Sequence, residues 1–321
     1  MKPVFLSVDL GGTSLRIAAL DAEANFLAQR SLSSDRVRQG SEFLRVLLEE
    51  IQQVSAETAR LGPMAIQGLA LGVPGLVDRK KGQIRQSPHF PKWRDLEVTA
   101  PLRAVLPFPI YLENDANQAA LGEAWKGAGK NWPDFILVTL GTGVGGGIIQ
   151  EGKIYHGPNG YAGEIGHIVI DRHGLPGALG SRGTLETLAS QSGLRLQLAS
   201  LHASPAALCS EAIRQLDPDS RELPLDLALL ADGGDVRALE IWEDFGAALA
   251  CGIASLANAF GFDRFVIGGG LEAAWHHFAA ACQNEIRNRM YPLTSAALEL
   301  RRAELKNEAG LIGGVRVVQL G

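Results

Sequence analysis

Three β-rich apolar runs in this chain each open directly onto a glycine turn, and no other feature limits its fold as tightly. Val4 to Val8 leads into Asp9-Leu10-Gly11-Gly12-Thr13. Phe135 to Leu140 leads into Gly141-Thr142-Gly143-Val144-Gly145-Gly146-Gly147, and Arg264-Phe265-Val266-Ile267 into Gly268-Gly269-Gly270. Glycine lacks Cβ, so backbone N–H groups at such turns can approach and cradle phosphate oxygens. One such turn alone reads first as an ordinary tight turn; three in one chain favour a ligand. Thr13, Ser14 and Thr142 add hydroxyls that can donate to phosphate. Asp9 stands where it could hold magnesium through water, an ion that takes a few carboxylates, waters and the nucleotide's own phosphates. Neither G-x-x-x-x-G-K-S/T nor a strand-linked G-x-G-x-x-G with a ribose acid downstream is clear here, so a dinucleotide reading loses.

Leu15 to Leu20 returns from the first turn as the second arm of a hairpin. Ser41 to Leu61 carries Phe43, Leu44, Leu47, Leu48, Ile51 and Val54 at helical spacing, which predicts an amphipathic helix starting at a serine cap. Ile66 to Gly72 and Ile110 to Leu112 read as strands, the latter leading into Glu113-Asn114-Asp115-Ala116-Asn117 and an alanine-rich helix from Gln118 to Trp125. Ile241, Phe245, Leu249, Ile253, Leu256 and Phe260 recur at three or four and predict a helix with one buried face, ended by Gly261. Ala309 to Gly314 is a small-residue helix expected to pack closely on the first domain. The stretch from Ser204 to Arg237 reads as surface helices and loops. The strand, turn, strand theme is faintly echoed between the first and second turns, short of a repeat.

A chain of 321 residues predicts two domains. Its charges, net −5, are interspersed and leave no footprint for nucleic acid. No segment approaches the ~20 apolar residues of a membrane span, and the amino terminus reads as a first strand instead of a signal. Cys209, Cys251 and Cys282 are too scattered for a disulfide framework or a C-x-x-C site, which fits a reducing cytoplasm and a small-molecule partner.

Asp115 lies at a strand-to-helix junction, where it is a helix cap, a role Asn114 or Asn117 could equally fill, or a positioned base. Glu164 and His167, with Glu186 downstream, could grip vicinal hydroxyls. Without further context they read first as a surface acid and a satisfied histidine.

Together these segments resemble the ROK family of sugar kinases, whose members have the α/β, two-domain actin-like (ribonuclease-H-like) ATPase fold with a cleft between domains. The carriers are D-L-G-G-T at Asp9 to Thr13, G-V-P-G-L-V-D at Gly72 to Asp78, E-N-D-A-N at Glu113 to Asn117, L-G-T-G-V-G-G-G at Leu140 to Gly147, G-E-I-G-H at Gly163 to His167, and V-I-G-G-G at Val266 to Gly270. They span nearly the whole chain. The resemblance implies residues 1–117 plus 305–321 as one domain and 118–304 as the other. It makes Asp115 the catalytic base and Asn114, Glu164, His167 and Glu186 the sugar ligands, with Gly75 beside the sugar. Gly11, Gly12, Thr13, Thr142 and Gly143 would contact phosphates, and Gly269 would lie near the adenosine. ATP and magnesium are the implied cofactors, and the implied reaction is in-line attack by a sugar hydroxyl, O6, on the γ-phosphate as the domains close.

Many family members hold a structural zinc on the histidine of G-H and three thiolates of C-x-C-G-x-x-G-C-x-E. Here those three positions are Gly177, Leu179 and Thr184. A closed zinc site normally needs four ligands, so no structural zinc is expected, and Glu186 must be placed by Leu179 and Leu185, with Thr184 as a helix cap. Repressors of the same family carry a DNA-binding segment of roughly 60–80 residues before the first turn, for which a turn at residue 9 leaves no room. A filament-forming ATPase on this fold is a further alternative, opposed by the G-E-I-G-H motif. Ser87 to Trp93 resembles the glucokinase branch, so glucose is the first substrate. N-acetylglucosamine, N-acetylmannosamine and fructose, polyphosphate as donor, and a dimer or tetramer remain open.

Overall fold

Strand β1 (Lys2–Leu10) is buried from Val4 to Leu10, as the middle strand of a sheet covered on both faces must be. It turns back through Gly11–Thr13 into β2 (Ser14–Leu20), pairing antiparallel from Phe5 with Leu20 to Leu10 with Leu15, which is the predicted hairpin. β3 (Phe26–Ser33) extends it antiparallel. After α1 (Gly40–Ala59), β4 (Met64–Val73) pairs parallel with β1. β5 (Leu76–Asp78), β6 (Gln83–Gln86) and β7 (Arg94–Glu97) make a small separate sheet. α2 (Thr99–Arg103) precedes β8 (Ile110–Asn114), which pairs parallel with β4 and completes the order β3-β2-β1-β4-β8. Helix α3 (Asp115–Lys126) follows without a loop.

β9 (Phe135–Leu140) and β10 (Val144–Gln150) flank the second turn, and β11 (Lys153–Ile154) pairs with the end of β10. The helical region runs through α4 (Leu185–Leu188), α5 (Gln191–His202), α6 (Glu211–Gln215), α7 (Leu223–Asp232) and α8 (Val236–Phe260). β12 (Arg264–Gly268) pairs parallel with β9 and, after α9 (Trp275–Arg289) and α10 (Pro292–Ala297), with β13 (Glu299–Arg302). α11 (Ala309–Leu320) ends the chain. This computed structural model describes residues 1–177, 180–203 and 210–321, apart from the Ser41 side chain. Among the described residues no helix is long and apolar enough to cross a membrane.

The chain divides into two units: 1–134 with 147–163 and 303–321, and 135–146 with 164–302. The boundary expected at 117/118 would cut α3, a continuous helix packed along α11 within the first unit. Residues 147–163 also return to that unit, as does the start of the carboxy-terminal segment at Ala303 instead of 305.

Other expectations shift for local reasons. The cap position of α1 is Gln39, which makes no side-chain cap bond, and the helix starts at Gly40 ahead of the predicted serine. What holds α1 is its apolar face: Phe43, Val46, Leu47, Ile51 and Val54 are buried in the first unit's core. Helix α8 buries Ile241, Phe245, Leu249, Ile253 and Leu256 as predicted, but Phe260, in the last turn before the left-handed Gly261, is 62% exposed. In the stretch expected to form surface helices and loops, α6 and α7 bury Ile213, Leu223 and Leu227, and α7 packs against α5 and α8. Residues 204–209, Cys209 among them, lie outside the described residues.

Candidate active site

The first unit holds Asp9, Gly11, Gly12, Thr13, Gly75, Asn114 and Asp115. The first glycine turn is closed by Gly11 N–H donating to Ser14 O at 2.9 Å and pinned by the Ser34 hydroxyl donating to Gly12 O at 2.7 Å. Its carbonyls are therefore occupied from behind, and Thr13 is exposed at its tip. A Cβ on Gly12 would sit 3.2 Å from the His89 ring. One on Gly75, whose φ is +104°, would sit 2.2 Å from Gln86 O, and Asn114 Nδ2 donates to Gly75 O at 3.2 Å. The Gln86 to His89 strand-end thus links the first turn, Gly75 and the β8–α3 junction, which brings the expected sugar-side and phosphate-side residues of this unit together.

Asn114 is the cap of α3: its side-chain oxygen accepts from Asn117 N at 3.1 Å. Asp115 is therefore not needed as the cap. It occupies the first helical position, half-buried, where the positive end of the helix dipole favours a carboxylate; one of its oxygens accepts from Ala116 N at 3.0 Å.

Asp9, at the end of β1, is buried, and its Oδ2 is paired with Arg16 at 2.7 Å. Burial pushes this carboxyl above its ordinary range, and the Arg16 charge pulls it back only in part. Oδ2 is thus engaged by Arg16, and the carboxylate as a whole packs against Gly310 of α11.

A buried network that the sequence reading passed over stands behind Asn114. Glu113 accepts from His156 Nε2 at 2.8 Å, Asn117 Nδ2 at 3.0 Å and Asn114 N at 3.0 Å, and pairs with Arg79 Nε at 3.1 Å. Burial, the largest influence, would raise this carboxyl. The hydrogen bond and charge of His156, with Arg79 and Asn117, outweigh it and hold the group below its ordinary value of 4.5. A depressed folded value means that the stabilisation is present above the ordinary value and lost as pH falls through the folded one. The stability difference between wild type and Glu113→Gln, read from urea unfolding at a series of pH values, should therefore narrow steadily below about pH 4.5. A difference that stays constant to pH 3 would show that the ionised carboxylate is not what stabilises this corner.

The second unit holds Thr142, Gly143, Glu164, His167, Glu186 and Gly269. Its turn is closed by Gly141 N–H donating to Gly143 O at 3.0 Å, the same device as in the first. The start of α5 ties down the turn's carbonyls: Gln191 N donates to Gly141 O at 2.9 Å and the Ser192 hydroxyl to Thr142 O at 2.8 Å. Neither residue was anticipated, because nothing local marks a helix start as the partner of a turn fifty residues earlier. Gly269, at φ +89° and ψ 171°, packs against the end of β9, where a Cβ would lie 2.3 Å from Leu140 O. The second and third glycine turns therefore meet at Leu140.

Glu186 Oε2 accepts from Val144 N at 3.1 Å and fills the space where a Cβ on Gly143 would fall, at 2.2 Å. The carboxylate is thus seated on the second turn. Leu185, buried against Gly252 of α8, and the Thr184 cap on α4 hold it there; Leu179, the other expected support, lies outside the described residues. Glu164 and His167 face each other at 3.9 Å, both half-exposed. Desolvation chiefly raises the Glu164 carboxyl; His167 lowers it and Glu186 adds a smaller upward push. Neither position 177 nor position 184 supplies a thiolate, so this donor set does not fit a closed zinc site.

A family model described as the ROK family matches residues 5–320. The glucokinase of Halalkalibacterium halodurans is 34% identical over 313 residues, spanning 97% of this chain and 93% of that protein. Among solved structures, a ROK family glucokinase from Streptomyces griseus in complex with glucose and AMPPNP superposes with a TM-score of 0.77 at 26% identity, covering 99% and 100% of the two chains. A ROK family transcriptional regulator, homologue of an E. coli MLC protein, superposes with a TM-score of 0.86 at 26% identity over 99% of this chain and 78% of that one. The fold is thus the α/β actin-like ATPase fold that the motifs imply.

Proposed function

The chain belongs to the ROK family, and from that premise we propose that it transfers the γ-phosphoryl group of ATP to a hexose hydroxyl, with glucose as the sugar and O6 as the attacking atom. The observation that carries this reading is the division of labour at the β8–α3 junction. Asn114 caps the helix and bonds Gly75, so the cap does not call on the Asp115 carboxylate, which is placed beside them at the helix start as the base. The glucokinase relative and the likeness to a glucose-bound glucokinase support the substrate.

In this reading Asn114, Gly75, Glu164, His167 and Glu186 hold the sugar. The backbone N–H groups of Gly12, Thr13, Thr142 and Gly143 hold phosphates, Gly11 closes the turn that presents them, and Gly269 lies near the adenosine. As the sugar oxygen bonds to the γ-phosphorus, its proton passes to Asp115 and the bond from phosphorus to the bridging oxygen of ADP breaks. Asp9 is the residue that would hold a magnesium ion through water, and such an ion would supply neutralisation of the phosphate charge. An ADP-release assay over glucose, fructose, N-acetylglucosamine and N-acetylmannosamine, with ATP or polyphosphate as donor, tests the proposal. The expected result is the highest kcat/KM for glucose with ATP; no sugar-dependent ADP release from any combination would overturn it.

The likeness to a transcriptional regulator favours one second reading, a sugar sensor without turnover. Calorimetric sugar binding with no ADP release would select it.

Gly143→Ala offers a finer check on Glu186. The new methyl would displace the Glu186 carboxylate, whose hydrogen bond from Val144 N is of the charged kind worth about 1.5 kcal/mol or more. The sugar KM should rise about tenfold. An unchanged KM would remove Glu186 from the sugar site.

A further inference from the structure

Away from the glycine turns, α7 ends at Asp232 beside the first turn of α9, which carries His276 and His277. His276 Nε2 lies 3.3 Å from Asp232 Oδ1, and His277 Nε2 lies 3.2 Å from the same oxygen. One ligand atom from each of the three residues lies within 4.8 Å of the others. A tetrahedral ion with bonds of about 2.0–2.1 Å spaces its ligand atoms about 3.3–3.4 Å apart, so two of the three edges already have that length.

The histidines differ in a telling way. His276 and Asp232 are 61% and 55% exposed, whereas the His277 side chain is 7% exposed and stacks on the buried Trp242 ring. His277 hydrogen-bonds the backbone of Ala228. Its Nε2 has no hydrogen-bond partner among the described residues. Although Asp232 Oδ1 is near, it lies off the line along which that nitrogen could donate. An unpartnered buried polar atom is costly. A histidine bonded at its back to a carbonyl, with the other nitrogen presented beside a carboxylate and a second imidazole, has the orientation typical of a metal ligand.

We propose that Asp232, His276 and His277 form a binding site for a divalent transition ion of the zinc class, with water completing its shell. Imidazole with carboxylate suits such ions, whereas magnesium and calcium prefer all-oxygen sets. The ion would clip the end of α7 to the start of α9, which follows the Gly268–Gly270 turn through the short helix Gly270–Ala274. Two exposed ligands make it exchangeable. The site is distinct from the stretch around His167, which lacks thiolates, and does not depend on the kinase reading.

The test uses full-length, tag-free protein stripped with EDTA and titrated with ZnCl2 by equilibrium dialysis and calorimetry. One equivalent of Zn2+ should bind, millimolar Mg2+ should not compete, and His167→Ala should retain the ion. His276→Ala and Asp232→Ala, at exposed positions outside the core, should each weaken binding at least tenfold. Zn2+ should also raise the unfolding temperature of the wild type and not of His276→Ala. Absence of binding, or affinity unchanged in both variants, would overturn the proposal and leave only the Asp232–His276 hydrogen bond.

Discussion

Asp115→Asn should lower turnover by about 10²–10⁴-fold, the usual contribution of a general base, while leaving sugar affinity near that of the wild type. Asparagine keeps the size of the side chain and an oxygen for the bond from Ala116 N, but it cannot take a proton at neutral pH. Because Asn114 provides the cap, the change should keep α3 intact and cost only the favourable charge–dipole interaction at the helix start, about 0.3–1 kcal/mol. Asn114→Ala is the contrasting variant. It removes both the cap and the bond to Gly75, and should cost about 1 kcal/mol of stability from the cap alone. Single-turnover kinetics and sugar calorimetry on the two variants separate chemistry from architecture. A kcat near that of the wild type in Asp115→Asn would move the base elsewhere.

Gly313→Ala should destabilise the protein by about 3 kcal/mol or more. In an ordinary helix interior the same change would stabilise by up to about 1 kcal/mol, so even the sign is diagnostic. The reason is the closeness of α11 to α3. A Cβ on Gly313 would lie 1.7 Å from Gln118 O, and one on Gly122 would lie 2.1 Å from Ala309 O. Both obstacles are backbone, so relief requires one helix to slide off the other. Gln118 shows what that contact protects. Its Nε2 bonds Val8 O at 2.9 Å and Gly310 O at 2.8 Å, fastening β1, α3 and α11 beside Asp9. Thermal unfolding reads the effect as a fall of about 6 °C or more for a unit of this size. An unfolding temperature at or above that of the wild type would mean that the two helices are not held this tightly.

The small residues of α11 are a case in which composition predicted the consequence and not the partner. Ala309 to Gly314 read as a closely packing helix, and it is one, running on to Leu320. Which surface it meets follows from a pairing between residues 118 and 313 that no local pattern encodes. The first hairpin was legible because a two-strand unit with a glycine turn is closed by neighbours in sequence. The start of α1 is not legible locally: serine is a good cap in isolation, yet the helix begins at Gly40 with no side-chain cap and is held by burial of Phe43 and Val46. The domain boundary is hidden for a similar reason: α3 runs unbroken from the expected base into the first unit, so the motif's end is not a break in packing.

Residue chemistry read along the chain was enough to establish the glycine turns, the acid at the head of a helix and the thiolates missing after His167, since these depend on a Cβ, a charge or a sulfur at one position. Long-range closure alone decided that Asn114 and not Asp115 is the cap, that Glu113 is held by a histidine 43 residues away, that Glu186 rests on Gly143, and that Asp232 meets two histidines of α9. Hydrogen-bond and ion-pair partners act over about 3 Å in space whatever their separation in sequence, so only the folded chain could select them.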